Sequence, residues 1–161
     1  DCLLSRGLGD VYKRQVNSEA IYQALFNRLS GIEGIKTTSR RLKHFNNVAP
    51  DERPALFITQ GNQTEVPVKG LDAKVELEAG VYVYIHENDS AIPPSVQLNQ
   101  MIDRVRTKLA PDHPDMCEYQ TLGGLVEHCW IEGTIEVFEA VENMLDDQGI
   151  AIIPIRILTT T

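Results

Sequence analysis

Residues 71–86 alternate between apolar and other side chains over sixteen positions, and no other stretch of the sequence constrains the fold as strongly. Leu71, Ala73, Val75, Leu77, Ala79, Val81, Val83 and Ile85 fall on one face. Asp72, Lys74, Glu76, Glu78, Tyr82 and Tyr84 fall on the other. A period of two is the mark of a half-buried strand, which usually has about five or six residues. Sixteen extended residues reach roughly 50 Å, so the strand has to bend at Gly80 or run beyond its sheet. Residues 54–60, a short apolar run of strand type, are its expected hairpin partner. Together the two runs predict a long β-hairpin arm.

Two helical patterns flank this arm. Asn17 and Ser18 form an N-cap cluster, with Glu19 placed against the positive end of the helix dipole. Ile21, Leu25 and Leu29 then recur at four-residue spacing beside Tyr22 and Phe26, and Gly31 stops the pattern. Pro93-Pro94-Ser95 opens the second helix, whose apolar stripe is Leu98, Met101, Ile102, Val105 and Leu109. Arg104, Arg106 and Lys108 lie towards its C-terminus and complement the dipole there. Residues 36–42 read as a strand and 45–53 as a loop. Residues 124–132 and 134–139 read as a hairpin about Gly133, and 146–149 as a turn. Residues 150–158 are a last strand, in which Pro154 points to an edge position or a bulge. This order predicts an α+β domain with a mainly antiparallel sheet and two helices packed on one face.

Composition narrows the function classes. The chain has 161 residues, a net charge of −8 and three cysteines. The acidic balance argues against nucleic acid as a primary ligand and against an anionic membrane surface. No run approaches 18 apolar residues, so no membrane span is expected. An odd, scattered cysteine set makes no disulfide framework. Residues 1–15 stand apart. Two glycines interrupt any pattern there, only Leu3 and Leu4 are apolar neighbours, and the segment is not expected to be a secretory signal. The string Asp10-Val11-Tyr12-Lys13-Arg14-Gln15 resembles translated sequencing-adapter sequence. The expected organisation is a non-native or disordered head at 1–15 and a single domain at 16–161. The head carries three basic and two acidic residues, so the domain is one unit more acidic than the whole chain.

No catalytic constellation stands out. His113, Cys117, His128 and Cys129 gather in one third of the chain. Adjacent His128 and Cys129 point to opposite faces of a strand, however, and the pair spacing of structural zinc sites is missing. No serine lies in a nucleophile elbow, and Gly123-Gly124 belongs to no phosphate-binding pattern. Glu132, Glu136, Glu139 and Glu142 read as a solvated face. Arg40, Arg41, Lys43 and His44 are the one basic concentration in an acidic protein, suited either to solvent or to an acidic patch on a neighbouring copy. Trp130 is the single tryptophan, and its readings are core aromatic or interface anchor.

The string from Gln120 to Gly133, QTLGGLVEHCWIEG, resembles the tail-terminator (tail-completion, minor tail) proteins of long-tailed phages and prophages. The opening from Ser18 to Phe26 is similar to the start of that family. So are Ser39-Arg40-Arg41-Leu42, Pro54-Ala55-Leu56-Phe57, and the close from Asp147-Gln148 to Ile155. The likeness covers residues 17–158, and residues 140–145 depart from it. It implies a virion structural protein, not an enzyme, with no catalytic residue, metal or cofactor. Such a protein is located in the virion tail, and in the host cytoplasm during assembly. It forms a ring, typically a hexamer, which caps the tail tube, ends its polymerisation and meets the head-tail connector protein. The implied partners are the chain itself, the tail tube protein and the connector. Candidate subunit or tube interface residues are Arg40, Arg41, Lys43, Glu76, Glu78, Tyr82, Tyr84 and Trp130. The alternatives are a neck or other minor tail protein, a monomeric non-viral adaptor domain, and a metal-dependent hydrolase using His113, Cys117 and His128.

Overall fold

Helix α1 (Ser18–Ser30) starts where the Asn17 side chain accepts a hydrogen bond from the Ala20 N–H at 3.1 Å. It buries Ile21, Tyr22, Leu25 and Leu29, and it stops at Gly31. Helix α2 (Pro94–Lys108) has Pro94 in its first turn, where a missing N–H costs no helical bond. Its buried face is Leu98, Met101, Ile102 and Val105. Both stripes join one core cluster with Val75, Leu77, Ala79, Val81, Val83 and Ile85. Each such large side chain contributes about 1.5–3 kcal/mol on burial. The structure, a computed structural model, describes residues 16–139 and 147–161. The expected head and the departure at residues 140–145 lie outside them.

Six strands among the described residues form one sheet: β1 (Thr37–Ser39), β2 (Ala55–Val66), β3 (Lys74–His86), β4 (His128–Ile131), β5 (Glu136–Phe138) and β6 (Gln148–Thr160). Their order is β1-β2-β3-β6-β4, and β5 also pairs with β6. Only β1–β2 is parallel. With both helices on one face, this is the expected α+β architecture.

The long strand behaves differently from a free arm. β3 pairs with β2 on one side, and with β6 on the other from Lys74↔Thr160 to His86↔Gln148. The sheet therefore supports it along its whole length. The alternation begins at Lys74, and Leu71 is 75% exposed in the preceding loop. The irregularity lies in β2, between Gln60 and Gln63, and not at Gly80. At this bulge a Cβ on Gly61 would come within 2.8 Å of Glu78 Cβ, so glycine permits the close approach. The Tyr22 hydroxyl donates to the Glu78 carbonyl at 2.8 Å and so ties the bulge to α1.

Two expectations are corrected at the far side of the sheet. β4 and β5 do not form a hairpin with each other. Both lie along the same edge of β6, with Ile131 opposite Ile155 and Glu136 opposite Ile152. Gly133, at φ 108°, carries the chain across the gap between them. Pro154 sits opposite that gap, and its carbonyl accepts from the Glu132 N–H at 3.2 Å. A residue's N–H and C=O point to the same side of an antiparallel strand, so the missing donor faces the interruption. Thus Pro154 belongs to an interior strand but occupies a local edge. The expected turn at 146–149 also changes: Gln148 and Gly149 already belong to β6.

Residues 45–52, which hold two short 3-10 turns, cover one end of the sheet face that the helices leave open. Val48, Ala55, Phe57 and Tyr84 make a small second core beneath them. Arg53 fastens this strap. It is only 5% exposed, and its guanidinium donates to the carbonyls of Val48 and Phe45 and to Gln148 Oε1. Burial holds its pKa below the usual guanidinium value.

Candidate subunit interface

The uncovered part of the outer sheet face is organised around Arg156, in the middle of β6. Strand periodicity places Glu76 and Glu78 of β3 on the same face, as well as Trp130, which pairs with Arg156. The Arg156 guanidinium lies 2.9 Å from Glu78, 3.4 Å from Glu76 and 3.6 Å from Glu132. One cation thus serves three carboxylates, and the cluster stays negative. Trp130 Nε1–H donates to Glu132 Oε2 at 2.7 Å, which fixes the indole. The His128 ring stacks on Trp130 with centroids 4.6 Å apart, and the Tyr119 ring lies 4.7 Å from His128, tilted by 53°. Burial pushes the His128 pKa down, and its Nδ1 accepts from the Gln120 N–H at 3.3 Å. Towards the hairpin end, Lys74 pairs with Glu127, and that pair together with Thr160 lowers the carboxyl pKa.

The basic island lies at the other edge of the sheet, just after β1. Arg40 is not free there. It pairs with Glu19 and bonds Gln23 at 3.1 Å, both on α1, and the contact lowers the Glu19 pKa. Arg41 and Lys43 are exposed, and among the described residues their side chains form no ion pair. The backbone carbonyl of Lys43 accepts from the Tyr84 hydroxyl at 2.9 Å.

The eight candidates therefore separate. Glu76, Glu78 and Trp130 come together on one surface. Arg41 and Lys43 stand across the sheet from them, and Arg40 is absorbed by α1. Tyr84 is a correction: at 5% exposure it is core, because the strap covers it and its ring packs on Phe57 at 5.3 Å. Tyr82 is half-buried beside that small core. No spacing or motif marks Arg156 as the centre of the acidic cluster, since its three partners are remote in the chain. His113, Cys117 and His128 are not assembled. Among the described residues no three His, Cys, Asp or Glu side chains are placed to hold a metal ion. Cys129 is buried on the helix side, and its thiol pKa is pushed up to about 12.

No protein-family model and no curated protein matches the chain. A solved structure described as "Virion of native gene transfer agent (GTA) particle" contains a chain with a TM-score of 0.54 to this one. The superposition covers 92% of this chain and 99% of that one, at 11% identity. The two share a fold. At that identity the likeness extends to the fold alone, over nearly the full length of both chains.

Proposed function

We propose that the chain is a structural protein of a phage-like virion, and within that class a tail terminator. It assembles as a ring, of six copies in the simplest form, caps the tail tube and presents a surface to the head connector. The fold shared with a virion chain supports the class. The ring rests on one observation: opposite edges of one sheet carry opposite charge. Arg41 and Lys43 lie beyond the β1 edge, while Glu132, Glu136 and Trp130 lie at the β4–β5 edge. A patch that fits a different patch on the next copy gives a heterologous contact, which makes a ring where the rotation between copies closes and a filament where it does not. Complementary charge sets orientation and register, and Trp130 supplies an aromatic anchor.

The test is assembly of the full chain followed by light scattering, with and without tail tubes. Reversing Arg41 and Lys43 to Glu should abolish rings while leaving the circular dichroism spectrum unchanged. Adding Glu136→Lys to that variant, with Glu132 left in place to hold the Trp130 indole, should restore them in part. A chain that stays monomeric with tubes present removes the ring reading. A neck or other minor tail role is distinguished by the partner: binding to connector particles but not to tube ends points to the neck.

A further inference from the structure

The ring contact leaves one edge of the sheet unaccounted for. β1 covers β2 only at Ala55, Leu56 and Phe57, while β2 continues to Val66. Among the described residues nothing pairs with the outward edge of residues 58–66, and residues 60–66 are exposed. An open row of N–H and C=O groups is a template for another strand, and proteins guard such a row with charged side chains, Lys above all, with Pro or with a bulge. Residues 58–66 contain no Lys, Arg or Pro, and beside the single charge of Glu65 their one guard is the bulge. The bulge at Gly61 and Asn62 interrupts the edge but does not disorder it. Tyr22 fixes the bulge, and the ladder resumes as Gln63↔Leu77, Thr64↔Glu76, Glu65↔Val75 and Val66↔Lys74. Residues 63–66 are thus held extended in advance.

We infer that this edge pairs with the same edge of a second copy, antiparallel about a two-fold axis. The chain's other edges fit it poorly. β1 and β5 offer three residues each against the four of Gln63–Val66, and β5 brings a second carboxylate, Glu136, to an edge that already carries Glu65. The outward N–H of Cys129 on β4 is already taken by the Gln120 carbonyl at 2.8 Å. Charge then selects the register of the β2 pair. Centring on Glu65 opposes two carboxylates, and centring on Gln63 already sets Thr64 of the partner against Asn62 in the bulge. Centring on Thr64 opposes Thr64 to itself and Gln63 to Glu65 of the other copy, with no like charges facing, and meets the bulge only at its outer pair, Asn62 against Val66. The resulting dimer continues one sheet across both copies. It is isologous, so it is a separate state from a heterologous ring.

Cysteine cross-linking tests the register directly, in a full chain carrying Cys2→Ser and Cys117→Ser. Residues directly opposite in an antiparallel pair have Cα atoms about 4.5–5.5 Å apart, within disulfide range. Thr64→Cys should give a covalent dimer on mild oxidation, whereas Gln63→Cys, facing Glu65 and leaving that charge in place, should not. Without a cysteine at 64, sedimentation equilibrium should show a concentration-dependent dimer that Thr64→Pro removes. Two results overturn the proposal: equal cross-linking at 63 and 64, or a chain monomeric at all concentrations whose Thr64→Cys variant does not cross-link. Arg41→Glu with Lys43→Glu should leave the dimer intact, which separates this contact from the ring.

Discussion

Arg53 shows how one side chain decides whether a surface is open or closed. Its donors satisfy the buried Val48 carbonyl, which has no other donor, and add a second bond to the Phe45 carbonyl, which also accepts from the Val48 N–H. Arg53→Met keeps much of the stem volume but leaves the Val48 carbonyl unpaired. It should cost about 1–3 kcal/mol in urea unfolding. Glu127 gives a pH signature at the same scale. Its folded pKa lies below the ordinary carboxyl value of 4.5, held down by Lys74 and Thr160. The pair therefore stabilises the fold above that value, and the contribution is lost as the pH falls through the lowered one. Glu127→Gln should flatten the loss of stability on acidification below about pH 4.5, measured by denaturation at each pH. Residue identity alone hid two partnerships. Arg40 reads as a free cation because its partner Glu19 is twenty-one positions away. Tyr84 reads as solvated because its alternation is right, and only the strap, recruited from residues 45–52, makes it core.

At the scale of elements, periodicity was legible and pairing was not. The helix stripes and the 75–85 alternation carry their own signal in their spacing, and the structure buries those side chains as expected. The second half of β2, Gln60 to Val66, has no apolar pattern at all, and its extended form comes from β3 alone. Gly133 has the chemistry of a hairpin turn. Yet β4 and β5 find better partners in successive segments of β6, a choice made by long-range contacts. The Tyr22–Glu78 bond is the element-scale device that fixes the bulge. Tyr22→Phe should cost about 1–2 kcal/mol by leaving the Glu78 carbonyl without its donor. It should also speed amide hydrogen exchange at Gln63–Val66 more than in α2. Uniform acceleration would mean that the bond serves only global stability.

For the whole molecule, the informative quantity is the placement of charge. A net −8 says little beyond solubility, but two cations without an ion-pair partner among the described residues at one sheet edge and an acid-rich cluster at the other give the chain a direction. The ring contact involves exposed charges, so its strength should fall as salt rises. The screening length drops from about 10 Å at 0.1 M to about 3 Å at 1 M. Ring populations measured by light scattering should decline over that range, whereas assembly unmoved by salt would assign the contact to apolar surface instead. The sequence showed the two charge classes but not their separation, which follows from the strand order β1-β2-β3-β6-β4.

The interruption opposite Pro154 has a consequence for how this scaffold tolerates change. Where β4 gives way to β5, the ladder asks nothing of residues 133 to 135, and the strand beneath has no donor to leave stranded. Extra chain grafted between Gly133 and Thr134 would emerge on the surface with both anchoring strands still held by β6. A label, an epitope or an additional domain carried there should be accepted without loss of the fold.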